Sequence, residues 1–334
     1  MMDALHTVLR QPRSSLGFFP TPVVELRSLS RFLGGPRILM KRDDQSGLAL
    51  GGNKVRKLEF LMADALAAGA DAVVTGGAAQ SNHCRQTAAA AVVCGVECHL
   101  ALGGSPPASM NGNLLLDTLL GAKIHWSGEY RKGENIPQIC EDLRQKGKQP
   151  YIIPYGGSNV IGAAGFVEAV REIALQIGPE ISEISHLVFA SSSGGTHAGL
   201  LVGKSLYGMN FQVAGICIDK GGSGEKSLSQ HILDLAKGNA EVHEIPVEFS
   251  ADDVVLFDEY VGAGYGVIGE LEREAIFLTA RHEGILLDPV YTGRAMGGMI
   301  DLIHRKELKR SDSVLFWHTG GSPALFASAE ALHT

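Results

Sequence analysis

A lysine closes the glycine-rich turn Gly47-Leu-Ala-Leu-Gly-Gly-Asn-Lys54, just where a helical pattern begins with Val55-Arg56-Lys57-Leu58-Glu59. The positive end of a helix disfavours an ammonium, so Lys54 is expected to have a lowered pKa. The free amine is the form that Schiff-base chemistry uses. The segment nearly spells a phosphate-binding P-loop, but its lysine falls one residue late and no Ser or Thr follows, which excludes that reading. An exposed turn lysine is the plain alternative.

Two further segments offer anion sites. Thr75-Gly-Gly-Ala-Ala-Gln80-Ser81-Asn82-His83-Cys84-Arg85 places Ser81 or Asn82 as the cap of a helix whose first amides suit a carboxylate, or serve only as an ordinary cap. His83 and Cys84 do not make a catalytic dyad, because adjacent helical residues point about 100° apart. Ser191-Ser-Ser-Gly194-Gly195-Thr196 follows an apolar strand and opens a helix, a composition that favours phosphate over an empty turn. Gly264-Tyr265-Gly266-Val267-Ile268-Gly269 is formally GxGxxG, yet it follows the acidic, irregular stretch 252–260 instead of a strand and is no dinucleotide fingerprint. Asp288-Pro-Val-Tyr291-Thr292 and His318-Thr319-Gly320-Gly321 each set hydroxyls beyond an apolar run. No HExxH, CxxC pair or EF-hand loop supports a metal.

These segments need a scaffold, and the apolar pattern supplies one. Strands are expected at 38–41, 72–75, 97–102, 123–126, 151–154, 186–190, 212–218, 285–287 and 314–318. Amphipathic stretches such as 56–68, 85–94, 137–146 and 165–176 lie between them. That alternation predicts an α/β fold with two lobes, twisted parallel sheets and helices on both faces. Ligands then gather beyond the carboxyl ends of the strands. The glycine-rich joints 46–52 and 155–165 suggest a small domain, 54–165, inserted into a large one formed by 1–53 and 166–334.

Composition narrows the partners. The chain has 334 residues, 45% hydrophobic and 19% charged, enough for a substantial core. Its net charge of −7 argues against nucleic acid or an anionic membrane, and no apolar run approaches a membrane span. The 42 glycines exceed the usual ~7% and cluster beside polar residues, as in loops around a small ligand. Five sparse cysteines, an odd number, suit a reducing cytoplasm better than a disulfide scaffold.

Taken together and in order, GGNKVRKLEF, QSNHCRQTAA, SSGGTHAGL, GYG, DPVYTG and HTGG resemble the D-cysteine desulfhydrase and 1-aminocyclopropane-1-carboxylate (ACC) deaminase family. These are pyridoxal-phosphate enzymes of the tryptophan-synthase-β type, fold type II. The resemblance runs from Thr21-Pro22-Val23 to Gly321. It implies pyridoxal 5'-phosphate bound covalently to Lys54, Asn82 beside the ring oxygen, and Ser193, Gly194, Gly195 and Thr196 around the phosphate. Asn53 joins the cofactor set, and Ser81, Asn82, His83 and Gly157 the substrate set. Tyr265 and Tyr291 match the active-site tyrosines, catalytic with Lys54 and Ser81. Ser192 departs from the family, which has glycine there.

Thr292 and Thr319 match the desulfhydrase pattern, where ACC deaminases resemble one another in an acidic residue and a leucine. A hydroxyl facing the pyridine nitrogen makes a weaker electron sink than a carboxylate, which suits expulsion of a good leaving group. The implied reaction is β-elimination from a small amino acid, D-cysteine first, by a cytoplasmic homodimer. L-cysteate with sulfite release, ACC ring opening, and an inactive amino-acid-binding protein are the alternatives.

Overall fold

The computed structural model describes residues 5, 9, 11–219 and 226–333. The described chain opens with β1 (Val23–Glu25), α1 (Arg27–Leu33) and β2 (Arg37–Arg42). It then leaves through α2 (Lys54–Ala67) to build a four-stranded sheet: β3 (Ala72–Ala78), α3 (Asn82–Cys94), β4 (Glu97–Gly103), α4 (Gly112–Leu119), β5 (Lys123–Trp126), α5 (Ile136–Gln145) and β6 (Pro150–Ile152). α6 (Val160–Ile177) returns it to β7 (His186–Ser191), α7 (Gly195–Leu206), β8 (Gln212–Cys217), α8 (Leu228–Val242) and β9 (Val255–Phe257). α9 (Glu270–Glu283), α10 (Thr292–His304), β10 (Ser313–His318), α11 (Pro323–Ala327) and α12 (Ala329–His333) finish it.

The larger sheet has the order β1-β2-β10-β7-β8-β9 and the smaller β5-β4-β3-β6. Every pairing is parallel except β1 with β2.

Strand alternation sorts the core into layers. On the larger sheet Leu39, Leu187, Phe189, Leu315 and Trp317 face α6, α7 and α8. Their neighbours Ile38, Met40, Val188, Val314 and Phe316 face α1, α9 and α10. On the smaller sheet Val73, Leu100 and Leu102 pack under α2, α3 and α4, while Ala72, Val74 and Ala101 pack under α5. The expected doubly covered α/β architecture is therefore present.

The strands differ from expectation in three places. Ile285–Leu287 is not a strand: it is an extended link whose ends are buried while Leu286 is exposed, so it imitates strand alternation without a pairing partner. Val255–Phe257, inside the stretch read as irregular, is the edge strand β9, paired to β8. Val23–Glu25 adds the antiparallel edge, short enough to escape a pattern search. The expected small-domain limit at residue 165 falls inside α6.

α2 joins the two sheets. Its apolar face lies in the smaller sheet's core, yet Arg56 turns to the larger sheet. Arg56 Nε and Nη2 donate to Asp43 at 2.8 Å each, and Nη1 and Nη2 donate to Glu172 at 2.9 and 2.8 Å. Lys41 donates to Glu172 at 2.5 Å and Trp317 Nε1 to Asp43 at 2.7 Å. The helices touch backbone to backbone: a Cβ on Gly165 would stand 2.3 Å from the Arg56 carbonyl oxygen, so α6 requires glycine there.

Candidate active site

α2 begins at Lys54 because the chain before it is held in left-handed turns, with φ of 43° at Ala49, 69° at Leu50, 68° at Gly51 and 129° at Gly52. α3 holds that loop. Arg85 donates to the carbonyls of Ala49 and, at 2.9 Å, Gly51, while Gln86 Oε1 accepts from the Val55 amide at 3.0 Å. The helix following β3 thus fixes where the lysine starts.

Lys54 Nζ donates to Asn53 Oδ1 at 3.2 Å and lies 5.9 Å from the centre of the Tyr291 ring. Burial lowers its pKa to about 8, against the opposing pull of Asp288. The expected lowered pKa is there, with burial as its largest cause. Only the neutral amine attacks a carbonyl, so the cofactor-free protein should capture an aldehyde cofactor faster as pH rises through about 8, then level off. A capture rate that stays flat between pH 6 and 9 (roughly the span in which such an amine titrates) would contradict that value.

Ser81 caps α3, its Oγ accepting from the Cys84 amide at 3.2 Å. Asn82 Oδ1 accepts from Asn113 Nδ2 at 2.8 Å. That fixes the amide and leaves Asn82 Nδ2 beside Gly321, whose Cβ would come within 2.7 Å of it. His83 Nε2 lies 2.9 Å from Thr75 Oγ1, and its Nδ1 is sealed without a partner. Burial, Lys54 and Lys57 hold this imidazole well below its ordinary pKa, hence neutral. Cys84 instead enters the smaller sheet's core, so the two form no dyad.

Gly194, with φ of 84°, turns β7 into α7 without a capping side chain. Asn53 Nδ2 reaches Thr196 Oγ1 at 3.4 Å, tying this loop to the lysine's own turn. Tyr265 and Tyr291 meet edge to face with their hydroxyls 2.7 Å apart. Burial raises both phenols above their ordinary pKa.

One cleft brings these residues together. Its lining includes Lys54, Ser81, Asn82, His83 and Tyr291 together with Asn53, Ser193, Gly194, Thr196 and Thr319. A hollow of about 820 Å³ beside Phe19 and Glu172 is larger, but its ionic groups are paired with one another. The cleft is therefore the candidate.

Tyr265, Gly195 and Gly157 stand just behind the lining, Gly195 with its amide on Ser158 Oγ at 3.1 Å. Thr292 departs from expectation. Its hydroxyl and amide both donate to Asp288 Oδ1, at 2.8 and 2.6 Å, and it is not part of the lining, so the ring-facing hydroxyl expected there is committed to a helix cap. Sequence reading also missed Asp288, Tyr155, Ser158 and Lys57, which reach the site through the fold. Ser192, the departure from the family pattern, lines the cleft and its side chain bonds Tyr155.

This donor set fits pyridoxal phosphate. It has a half-buried amine of lowered pKa in the lining, a strand-to-helix loop of hydroxyls and amides for the phosphate, and a buried imidazole nitrogen left unsatisfied among the described residues. The fold and site define an α/β cofactor enzyme, and residues 14–320 match the family of pyridoxal-phosphate dependent enzymes, to which the chain belongs. Among particular relatives, it is 42% identical to a D-cysteine desulfhydrase of Klebsiella pneumoniae (strain 342), over 97% of this chain and 98% of that one. It is also similar to the solved structure of an ACC deaminase homologue, with a TM-score of 0.89 and 37% identity over 97% of this chain and 96% of that one. The processed form of threonine deaminase isoform 2 from Solanum lycopersicum shares the fold, with a TM-score of 0.65 at 15% identity over 95% and 83% of the two chains.

Proposed function

We propose that the enzyme catalyses β-elimination from D-cysteine, releasing sulfide, ammonia and pyruvate. The observation that carries the reading is the convergence of Lys54, the Ser81 end of α3 and the Ser193–Thr196 end of α7 on one cleft. Pyridoxal phosphate, when bound, supplies the electron sink for the negative charge that develops at the substrate Cα. Lys54 would hold the cofactor, and its amine, free when substrate is bound, would take the α-proton. Ser81 and the first amides of α3 receive the substrate carboxylate, with Asn82, His83 and Gly157 shaping its pocket. Tyr265 and Tyr291 face the departing sulfur. The free aminoacrylate then hydrolyses in water.

On the cofactor side, Asn82 serves the ring oxygen and Thr319 the pyridine nitrogen, while Asn53, Gly194, Gly195 and the hydroxyls of Ser193 and Thr196 serve the phosphate. Thr292 acts only indirectly, by holding Asp288. The likeness to a D-cysteine desulfhydrase supports this substrate, as does a threonine at position 319. The cysteines carry no disulfides, which suits a cytoplasmic enzyme, and we take it to be a homodimer of two-lobed subunits.

A panel of D-cysteine, L-cysteine, L-cysteate and ACC tests the reading, scoring sulfide, sulfite, pyruvate and 2-oxobutyrate. Sulfite from L-cysteate without sulfide from D-cysteine would replace it, as would 2-oxobutyrate from ACC. For the phosphate loop, Thr196→Val removes one hydroxyl bond to a charged group, about 1.5–3 kcal/mol. Cofactor affinity should fall by roughly ten- to a hundred-fold in an equilibrium titration. An unchanged affinity would place the phosphate elsewhere.

A further inference from the structure

Lys57 lies one turn along α2 from Lys54 and is completely buried. Of the other deeply buried cations, Lys41, Arg56 and Arg294 each pair with a carboxylate, while Arg85 spends its guanidinium on Asn113 Oδ1 and the carbonyls of Ala49 and Gly51. Among the described residues Lys57 has no carboxylate partner. Its Nζ donates to the Gly156 carbonyl at 3.1 Å and to Ser158 Oγ at 3.0 Å. The titratable groups that face it are Lys54 on its own helix, His83 on α3 and His231 on α8, and none brings negative charge. An unpaired ammonium at that depth is costly unless an anion compensates it.

Ser158 links this lysine to the phosphate loop. Its Oγ also accepts from the Gly195 amide at 3.1 Å and lies 2.8 Å from Ser193 Oγ, and Ser193 lines the cleft. We propose that Lys57 is a positioning residue for the cofactor phosphate: it takes up a proton as the phosphate binds and, through Ser158, turns the Ser193 hydroxyl outward as a donor. The inference rests on the phosphate occupying the Ser193–Thr196 loop.

The hydrogen-bond polarity follows from valence. When Lys57 is charged, it and the Gly195 amide both donate to Ser158 Oγ and fill its two acceptor positions. The Ser158 proton must then go to Ser193 Oγ, which leaves the Ser193 proton for a ligand. When Lys57 is neutral, its lone pair can accept from Ser158, the relay reverses, and Ser193 presents lone pairs to the cleft. Burial and the neighbouring Lys54 favour the neutral amine in the cofactor-free protein. A phosphate dianion supplies the missing counter-charge, and the proton comes from solvent.

Calorimetric titration of the cofactor-free protein with inorganic phosphate tests this, at pH 8 in two buffers of different ionisation enthalpy. Most inorganic phosphate is already the dianion at that pH, and it forms no covalent bond to Lys54. The wild type should take up about one proton per phosphate bound. Lys57→Met should take up none and bind roughly tenfold more weakly or worse. Lys57→Arg should keep the affinity without the proton, because its guanidinium is charged beforehand. Ser158→Ala should weaken phosphate but leave capture of pyridoxal, which lacks the phosphate, unchanged. Proton uptake that is absent in the wild type, or that survives in Lys57→Arg and so belongs to Lys54, overturns the proposal even if Lys57→Met fails to fold. Phosphate that binds without competing with the cofactor overturns the loop assignment itself.

Discussion

Lys54→Ala is expected to abolish covalent attachment of the cofactor and to lower turnover by on the order of 10³-fold or more, as the proposal that one side chain is both anchor and base requires. The phosphate loop and Asn82 remain, so the cofactor should still bind, noncovalently and without the visible absorbance of the wild-type adduct. Borohydride reduction followed by peptide mapping checks the attachment directly. A label on residue 54 in the wild type and none in the variant is the expected pair of results. A variant that still yields a reducible lysine adduct would move the anchor to Lys57, the buried amine one turn further along α2. Exogenous small amines should restore part of the lost activity if proton removal is what Lys54 supplies.

The second large effect concerns stability. Asp43→Ala leaves Arg56 facing Glu172 alone and deprives Trp317 Nε1 of its acceptor. Removing one partner of a buried ion pair costs about 3–5 kcal/mol. Denaturant unfolding should show that loss, whereas Glu259→Ala, which breaks an exposed pair with Arg305, should cost less than about 1 kcal/mol. Equal losses from the two variants would mean that the buried cluster contributes no more than surface charge. Acid should weaken the same cluster. Burial works against the Glu172 charge, yet the bonds and charges of Arg56 and Lys41 hold its carboxyl down to about 2, below the ordinary 4.5. A carboxyl depressed in the fold contributes fully above pH 4.5, and its contribution drains away as pH falls toward 2.

Much of the scaffold is legible in the sequence because parallel strands buried on both faces announce themselves as Val- and Ile-rich runs between helical stretches. Lys54, Ser81 and the Ser193–Thr196 loop are legible for a related reason: each sits where a helix begins, and helix starts carry local residue signals. What escaped depends on partners distant in sequence. Nothing local marks Lys57 as buried beside Ser158, about a hundred residues on, and its segment reads as an ordinary charged helix face. Thr292 carries the expected hydroxyl, but only the fold shows that Asp288 claims it. Ile285–Leu287 has the alternation of a strand, and alternation alone cannot report whether a neighbour is there to pair.

The attachment of α2 to the larger sheet also determines what can move. Arg56 is clamped to Asp43 and Glu172 two residues after Lys54, and Gly165 presses on its backbone. Any rocking of the smaller sheet that leaves this clamp intact must turn about the start of α2. The lysine then sits close to that pivot, and so does Ser81, because Arg85 and Gln86 on the helix it caps bond the carbonyls of Ala49 and Gly51 and the Val55 amide. Rocking of the smaller sheet therefore cannot part the start of α3 from the start of α2 without breaking those bonds, and the two helix ends that border the cleft travel as one body.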